Sequence, residues 1–211
     1  MPEIFKKETP ARKFIKGWKI TEDLAELRES LFLNEREINE FEKITHPQKQ
    51  LEFLAGKTCI QNLVNEQQAE YKGAWKDEHG KPHLVELPMQ ISISHSFPFA
   101  IAILSTDGPV GIDIELPREK HQVISRKYLN ESELNESGNN LEKLCIQWSS
   151  KEAVYKEYGK KKLIFKENIR VEFRDNYFSD GIIARLLLDN TMKEFKIGVD
   201  RIEDHIICYT D

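Results

Sequence analysis

Between Pro47 and Asn65, apolar residues recur at Leu51, Leu54, Ala55, Cys59 and Leu63. Steps of three and four predict a helix with a broad apolar face, and Pro47 suits its first turn, where its missing N–H costs nothing. The period then breaks over a turn-rich stretch, Gly73 to Leu84, most clearly at Asp77-Glu78-His79-Gly80-Lys81-Pro82. Gln90-Ile91-Ser92-Ile93-Ser94 alternates polar and apolar, and Phe99 to Leu104 is almost wholly apolar. Both are expected as strands, the second a buried one. Asp107-Gly108-Pro109 turns the chain into a third strand, Val110 to Glu115.

Similar signals flank this middle section. Phe14 to Ile20 reads as a short strand, and Thr21 before Glu22 and Asp23 reads as a helix cap followed by first-turn acids. Asn34 with Glu37 three residues on is a capping-box pattern that opens a second short helix. Residues 121–135 and 141–159 are expected as helices, parted by the loop around Gly138. The last third returns to strands near 168–174, 182–189, 193–200 and 205–209, with turns at Asp175-Asn176 and Asp189-Asn190. Helices then strands, twice over, predicts an α+β chain of two similar halves, each a small antiparallel sheet packed with a helix.

Composition narrows the function. At 211 residues the chain can bury a substantial core, as one domain or as two small ones. The net charge of −5 argues against nucleic acid as a partner, which needs a basic excess on one face. No apolar stretch approaches the roughly 18–20 residues that span a bilayer, so no membrane role is expected. Glu3, Lys6, Lys7, Glu8, Arg12 and Lys13 interrupt the N-terminal segment, which lacks a signal peptide's apolar core. Three cysteines, Cys59, Cys145 and Cys208, are odd in number and lack metal-ligand spacing, so reduced, buried thiols in a cytoplasmic protein are expected.

Two short segments carry the candidate chemistry. In a strand, residues two apart share a face, so Ile112 and Ile114 would enter the core while Asp113 and Glu115 point together to the other side. Paired hard oxygen donors suit Mg²⁺, which takes one or two carboxylates plus waters and substrate phosphates. Taken alone, the pair reads equally as a solvated strand face ending at Pro117. In the second segment, Ser149 and Glu152 have the spacing of a helix capping box, and Glu152 and Lys156 that of a surface ion pair.

Together, Gly111-Ile112-Asp113-x-Glu115 and Trp148-Ser149-x-Lys151-Glu152-Ala153-x-x-Lys156 resemble the signature of the 4′-phosphopantetheinyl transferases. The spacer between the two segments is short for that family. Ile93-Ser94-His95-Ser96 resembles the Ser-His motif ahead of the first signature, and Gly80-Lys81-Pro82 a Gly-Lys-Pro turn further upstream. Leu51 to Lys57 resembles the Glu-x-Leu-Ala-Gly-Arg helix of the longer surfactin-synthetase and enterobactin type. Here Lys57 replaces the usual arginine, and Lys49 stands where another is common; a lysine meets phosphate as a point charge, without a bidentate fork.

The resemblance implies transfer of the phosphopantetheine arm of coenzyme A to a serine of an apo acyl or peptidyl carrier protein, releasing 3′,5′-ADP. It implies a pseudo-dimeric monomer with pseudo-twofold symmetry. Residues 1–109 would form the nucleotide side, residues 110–211 the metal and catalytic side, and coenzyme A would lie in the cleft between them. Asp113, Glu115 and Glu152 would hold Mg²⁺, with Glu152 also the general base, acting directly or through water. Lys156 would contact a phosphate and act in catalysis, and Lys151 would bind phosphate or support the site. Ser94 and His95 would meet the nucleotide end, His95 near the 3′-phosphate, with Lys49, Lys57 and Lys81 as further phosphate contacts. Trp148 is expected as a core anchor. Lys160-Lys161-Lys162 would meet an acidic carrier or simply be solvated.

Two rival readings remain at this stage. One is a coenzyme A- or carrier-binding protein of the same fold without turnover, against which the intact Asp113, Glu115, Glu152 and Lys156 count. The other is a different Mg²⁺-dependent phosphoryl or nucleotidyl transferase, for which the sequence offers no Gly-rich phosphate loop.

Overall fold

A computed structural model describes residues 3–160, 162–189 and 191–211. Lys161 of the lysine run and Asn190 of the second expected turn lie outside the described residues. The chain divides into two compact units, Met1–Val110 and Gly111–Asp211.

The first unit runs β1 (Glu3–Glu8), β2 (Lys13–Lys19), α1 (Leu24–Glu29), α2 (Glu35–Glu42), α3 (Pro47–Glu66), β3 (Ala74–Lys76), β4 (Pro82–Leu84), β5 (Gln90–Ser96) and β6 (Phe99–Ser105). Its antiparallel sheet has the order β1-β2-β6-β5-β4-β3. Helix α3 lies on the sheet, with Cys59, Ile60, Leu63 and Val64 in one core with Ile91, Ala102 and Leu104. The approach is close: a Cβ on Gly56 would stand 2.9 Å from Ile93 Cγ2. Leu54 and Ala55 join Leu27, Leu31 and Leu33 in a second cluster that seats the short helices.

Several sequence expectations shift here. The α1 cap is Asp23, not Thr21: Glu26 N–H donates to Asp23 Oδ1 and Asp23 N–H donates back to Glu26 Oε2, each at 2.9 Å. A carboxylate followed three residues on by a glutamate closes both ends of a capping box, which Thr21 is too early to do. Asn34 caps α2 through Glu37 as expected. Strand β1 sits at the sheet edge, where Lys6 and Lys7 are compatible with exposure, so charge there does not forbid a strand. Strands β3 and β4, inside the turn-rich stretch, are three residues each, too short for any period to show.

The second unit runs β7 (Ile112–Glu115), α4 (Glu119–Tyr128), α5 (Glu131–Ser137), α6 (Leu141–Tyr158), α7 (Phe165–Asn168), β8 (Ile169–Glu172), α8 (Tyr177–Asp180), β9 (Ile182–Leu188), β10 (Thr191–Ile202) and β11 (His205–Thr210). Its antiparallel sheet has the order β7-β11-β10-β9-β8. The expected single helix over 121–135 is two, because Asn130 leaves the helical path and caps α5 with Glu133. Helix α6 lays Cys145, Ile146 and Val154 into a core with Val171, Ala184, Ile197, Ile206 and Cys208.

The two units share a plan. In the first, β2 leads through helices into an antiparallel run β3-β4-β5-β6 whose last strand returns beside β2. In the second, β7 leads through helices into β8-β9-β10-β11, and β11 returns beside β7. Two antiparallel sheets, each packed with helices, make this the α+β class the periodicities predict. All three cysteines are free and buried, and no helix among the described residues is long and apolar enough to cross a membrane.

Candidate functional site

The carboxylate strand and the long helix of the second unit meet at backbone distance. A Cβ on Gly111 would lie 1.8 Å from Ala153 O and 2.8 Å from Glu157 N, so only glycine lets α6 settle against the start of β7. Ala153, fully buried, is the small residue on the helix side of that contact. Lys156 Nζ stitches the crossing, donating to Ile112 O at 2.9 Å and to Asp113 Oδ1 at 2.8 Å.

Strand β7 buries Ile112 and Ile114 as expected, but its carboxylate face is covered as well. It pairs with β11 so that Asp113 stands opposite Cys208 and Glu115 opposite Ile206. Directly opposed residues share a face, and Cys208 and Ile206 lie in the core beneath α6. Asp113 and Glu115 therefore face the helix, while Ile112 and Ile114, also buried, face away from it. The alternation was right; which face the helix covers was not in it. Asp113 is only 5% exposed, and Glu115 is partly exposed, with Lys120 Nζ 3.2 Å from its Oε2.

The helix brings Glu152 and Lys156 to this face together. Ser149, Glu152, Ala153 and Lys156 follow the spacing of one helical stripe. Ser149 does not cap anything: α6 begins at Leu141, where Asn140 Oδ1 accepts from Lys143 N–H at 3.0 Å. Nor does Lys156 pair with Glu152 on the surface, since Asp113 takes its ammonium. Burial and then the Asp113 charge push the Glu152 carboxyl up to about 7, against the pull of Lys156. Burial and Asp113 likewise raise the Glu115 carboxyl. Asp113 thus disfavours charge on both glutamates, which marks an electrostatic site.

A divalent cation would relieve that repulsion. Among the described residues no three His, Cys, Asp or Glu side chains are gathered closely enough to enclose a metal ion by themselves. Mg²⁺ does not require that, because it retains waters and takes one or two carboxylates with substrate phosphate oxygens. Asp113, Glu115 and Glu152 carry hard oxygen donors of the kind such an ion takes.

Lys151 is elsewhere. It is fully buried on another side of α6, and its ammonium donates to Glu133 Oε2 at 2.8 Å, Tyr128 O at 2.9 Å, Ile169 O at 2.7 Å and Phe165 O at 3.3 Å. Glu133 in turn accepts from Val171 N–H at 2.9 Å and closes the α5 capping box. Burial pulls the ammonium below the usual lysine range, and Glu133 opposes it. Of the two expected roles, phosphate contact and support, these internal partners favour support. Trp148, expected as an anchor, packs edge-on against Tyr128 at 5.1 Å and beside Phe165.

The first unit holds the remaining expected residues, not all in one place. His95 follows Ile91 and Ile93 on the α3-facing side of β5, and its Nδ1 lies 3.2 Å from Glu52 Oε2. Lys49, in the first turn of α3, reaches the same oxygen at 2.6 Å. Ser94, one residue earlier in the strand than His95, projects to the opposite face and is buried. Lys81 closes the Asp77 turn, its N–H donating to Asp77 Oδ1 at 2.9 Å. Lys57 departs from expectation: its side chain is 7% exposed, its Nζ is 2.6 Å from Glu37 Oε1, and it lies 5.3 Å from the Phe53 ring. The Tyr71 hydroxyl donates to the same glutamate oxygen at 2.7 Å. Lys57 ties α3 to α2 through Glu37.

Two residues outside the expected set organise these clusters, Glu52 and Glu133. The signals were local: Lys49 and Glu52 are three apart on a helix, and Asn130 and Glu133 form a capping box.

Residues 109–210 match the family model of the 4′-phosphopantetheinyl transferase superfamily. The unit carrying Asp113, Glu115, Glu152 and Lys156 is thus a domain of that superfamily. No curated protein matches the chain.

Proposed function

We propose that this protein transfers the 4′-phosphopantetheine arm of coenzyme A to a serine of an apo acyl or peptidyl carrier protein, releasing 3′,5′-ADP. The observation that carries the reading is the junction of β7 and α6, where Asp113, Glu115, Glu152 and Lys156 converge within the superfamily domain.

The reaction forms a bond between the serine oxygen and the phosphorus bearing the pantetheine arm and breaks the pyrophosphate bond to 3′,5′-ADP. Glu152 takes the serine proton, directly or through a water; a carboxyl poised near 7 is matched to that task at neutral pH. Asp113, Glu115 and Glu152 would hold Mg²⁺, which when bound neutralises pyrophosphate charge. Lys156, held by Asp113 and Ile112 O, supplies positive charge beside the departing phosphate. The Gly111–Asp211 unit is the metal and catalytic side. The Met1–Val110 unit takes the nucleotide end through Lys49, His95, Ser94 and Lys81. The protein acts as a monomer of the longer, surfactin-synthetase and enterobactin type.

Incubation with coenzyme A, Mg²⁺ and a panel of apo fatty-acid, polyketide and nonribosomal-peptide carriers, read by intact mass, tests this. A phosphopantetheine adduct on at least one carrier is expected. No adduct on any carrier would refute the reading, and retained coenzyme A binding in that case would identify a binding protein without turnover.

A further inference from the structure

Of the carboxylates at the junction of β7 and α6, Glu115 is held by a cation with no second duty. Lys120 Nζ lies 3.3 Å from Glu115 Oε1 and 3.2 Å from Oε2, and among the described residues it has no other hydrogen-bond acceptor. Lys156 differs: it binds Ile112 O as well as Asp113, and its side chain is 26% exposed against 51% for Lys120. The base of the Lys120 side chain is nevertheless fixed. The next residue, His121, is fully buried; Arg118 N–H donates to its Nδ1 at 3.2 Å, and the Tyr128 hydroxyl donates to its carbonyl at 3.2 Å. The first turn of α4 is thus pinned near Glu115, while the flexible four-carbon stem of the lysine is free to pivot.

From this arrangement we infer that Lys120 is an electrostatic latch: its ammonium occupies Glu115 in the metal-free protein, must yield that carboxylate to Mg²⁺, and so couples metal binding to the arrival of the anionic substrate. An ion pair with a half-exposed lysine is weak enough for a dication to break, but breaking it costs the metal several-fold in affinity. Once off Glu115, the ammonium is a mobile positive charge at the rim of the site, where a pyrophosphate attracts it. Each ligand then makes room for the other: the anion draws Lys120 away from Glu115, and the metal releases Lys120 toward the anion. By linkage the two effects are one coupling free energy, felt equally by both ligands. This inference rests on the proposed function, since it takes Glu115 as a metal ligand and coenzyme A as the substrate.

Calorimetric titration of Mg²⁺ into wild type, Lys120→Gln and Lys127→Gln, with and without coenzyme A, tests the latch. Lys127, exposed on the same helix, controls for the change in net charge. Without coenzyme A, Lys120→Gln should bind Mg²⁺ about threefold to fivefold more tightly than wild type, and Lys127→Gln should stay within about twofold of it. With coenzyme A bound, the advantage of Lys120→Gln should vanish, because the anion has already drawn the wild-type ammonium away. Lys120→Arg, which keeps the charge, should remain near wild type in both conditions. Unchanged or weaker binding by Lys120→Gln would overturn the latch alone, provided wild type binds the metal. An equal gain from Lys127→Gln, or a gain that coenzyme A leaves intact, would overturn it too. Wild type that binds Mg²⁺ neither alone nor with coenzyme A would refute the metal reading itself, and the latch with it.

Discussion

Replacing Glu152 with glutamine should stabilise the metal-free protein while abolishing its activity. Burial and the Asp113 charge carry the Glu152 carboxyl from its ordinary 4.5 to about 7, even with Lys156 nearby. A folded value above the unfolded one means the native state holds a proton the unfolded chain has lost. Wild-type stability from this group is therefore fully present below about 4.5 and is lost as pH rises through about 7. At 1.36 kcal/mol per pH unit, the loss across that window is about 3 kcal/mol. Glutamine carries no charge at any pH and escapes it. Urea unfolding of wild type and Glu152→Gln, without divalent metal, should give similar stabilities near pH 5 and a growing advantage for the variant up to pH 8. Added Mg²⁺ should narrow the gap by stabilising wild type more. A variant no more stable than wild type at pH 8 would show that Asp113 and burial do not strain Glu152, and the argument for a cation-seeking site would collapse.

Asp113→Asn should lower transfer at least about a hundredfold, the scale of losing a group that stabilises developing charge, and should weaken the Mg²⁺ dependence of the remaining rate. Circular dichroism should be unchanged in that variant. Lys151→Met should cost about 3–5 kcal/mol in urea unfolding, because Glu133 keeps its charge in a site with no cation. If Lys151→Met instead lost activity with its stability intact, the ammonium would be serving substrate after all. Gly111→Ala should yield little folded protein, since its Cβ would sit 1.8 Å from Ala153 O; a variant with native unfolding behaviour would mean α6 can retreat from β7.

The candidate residues of the site were legible because their signals are local. The period of Leu51 to Leu63 gave α3, the alternation through Gln90 to Ser94 gave β5, and Asn34 with Glu37 gave a helix start, each from residues within a few positions. Asp113, Glu115, Glu152 and Lys156 could be named before any contact was known, since the order of two short segments sufficed. What the chain could not say was which charges would be buried. Lys49 and Lys57 lie on one helix and look alike in sequence, yet one side chain is 54% exposed and the other 7%. The difference is made by Glu37, Tyr71 and Phe53 around Lys57, the first on α2 and the second in the loop after α3.

Lys151 and Glu152 are neighbours in sequence that tertiary structure sends to different work, because adjacent helical residues point about 100° apart. One faces a cage of carbonyls and Glu133, the other a strand of carboxylates. Likewise, alternation put Asp113 and Glu115 on one face of β7, but only the seating of α6 on β11 decided that this face lies beneath the helix. Sequence determined the elements and named candidate groups through spacing and capping, which act over a turn or two. Burial and pairing of charge depend on partners tens of residues away, and those only the fold supplies.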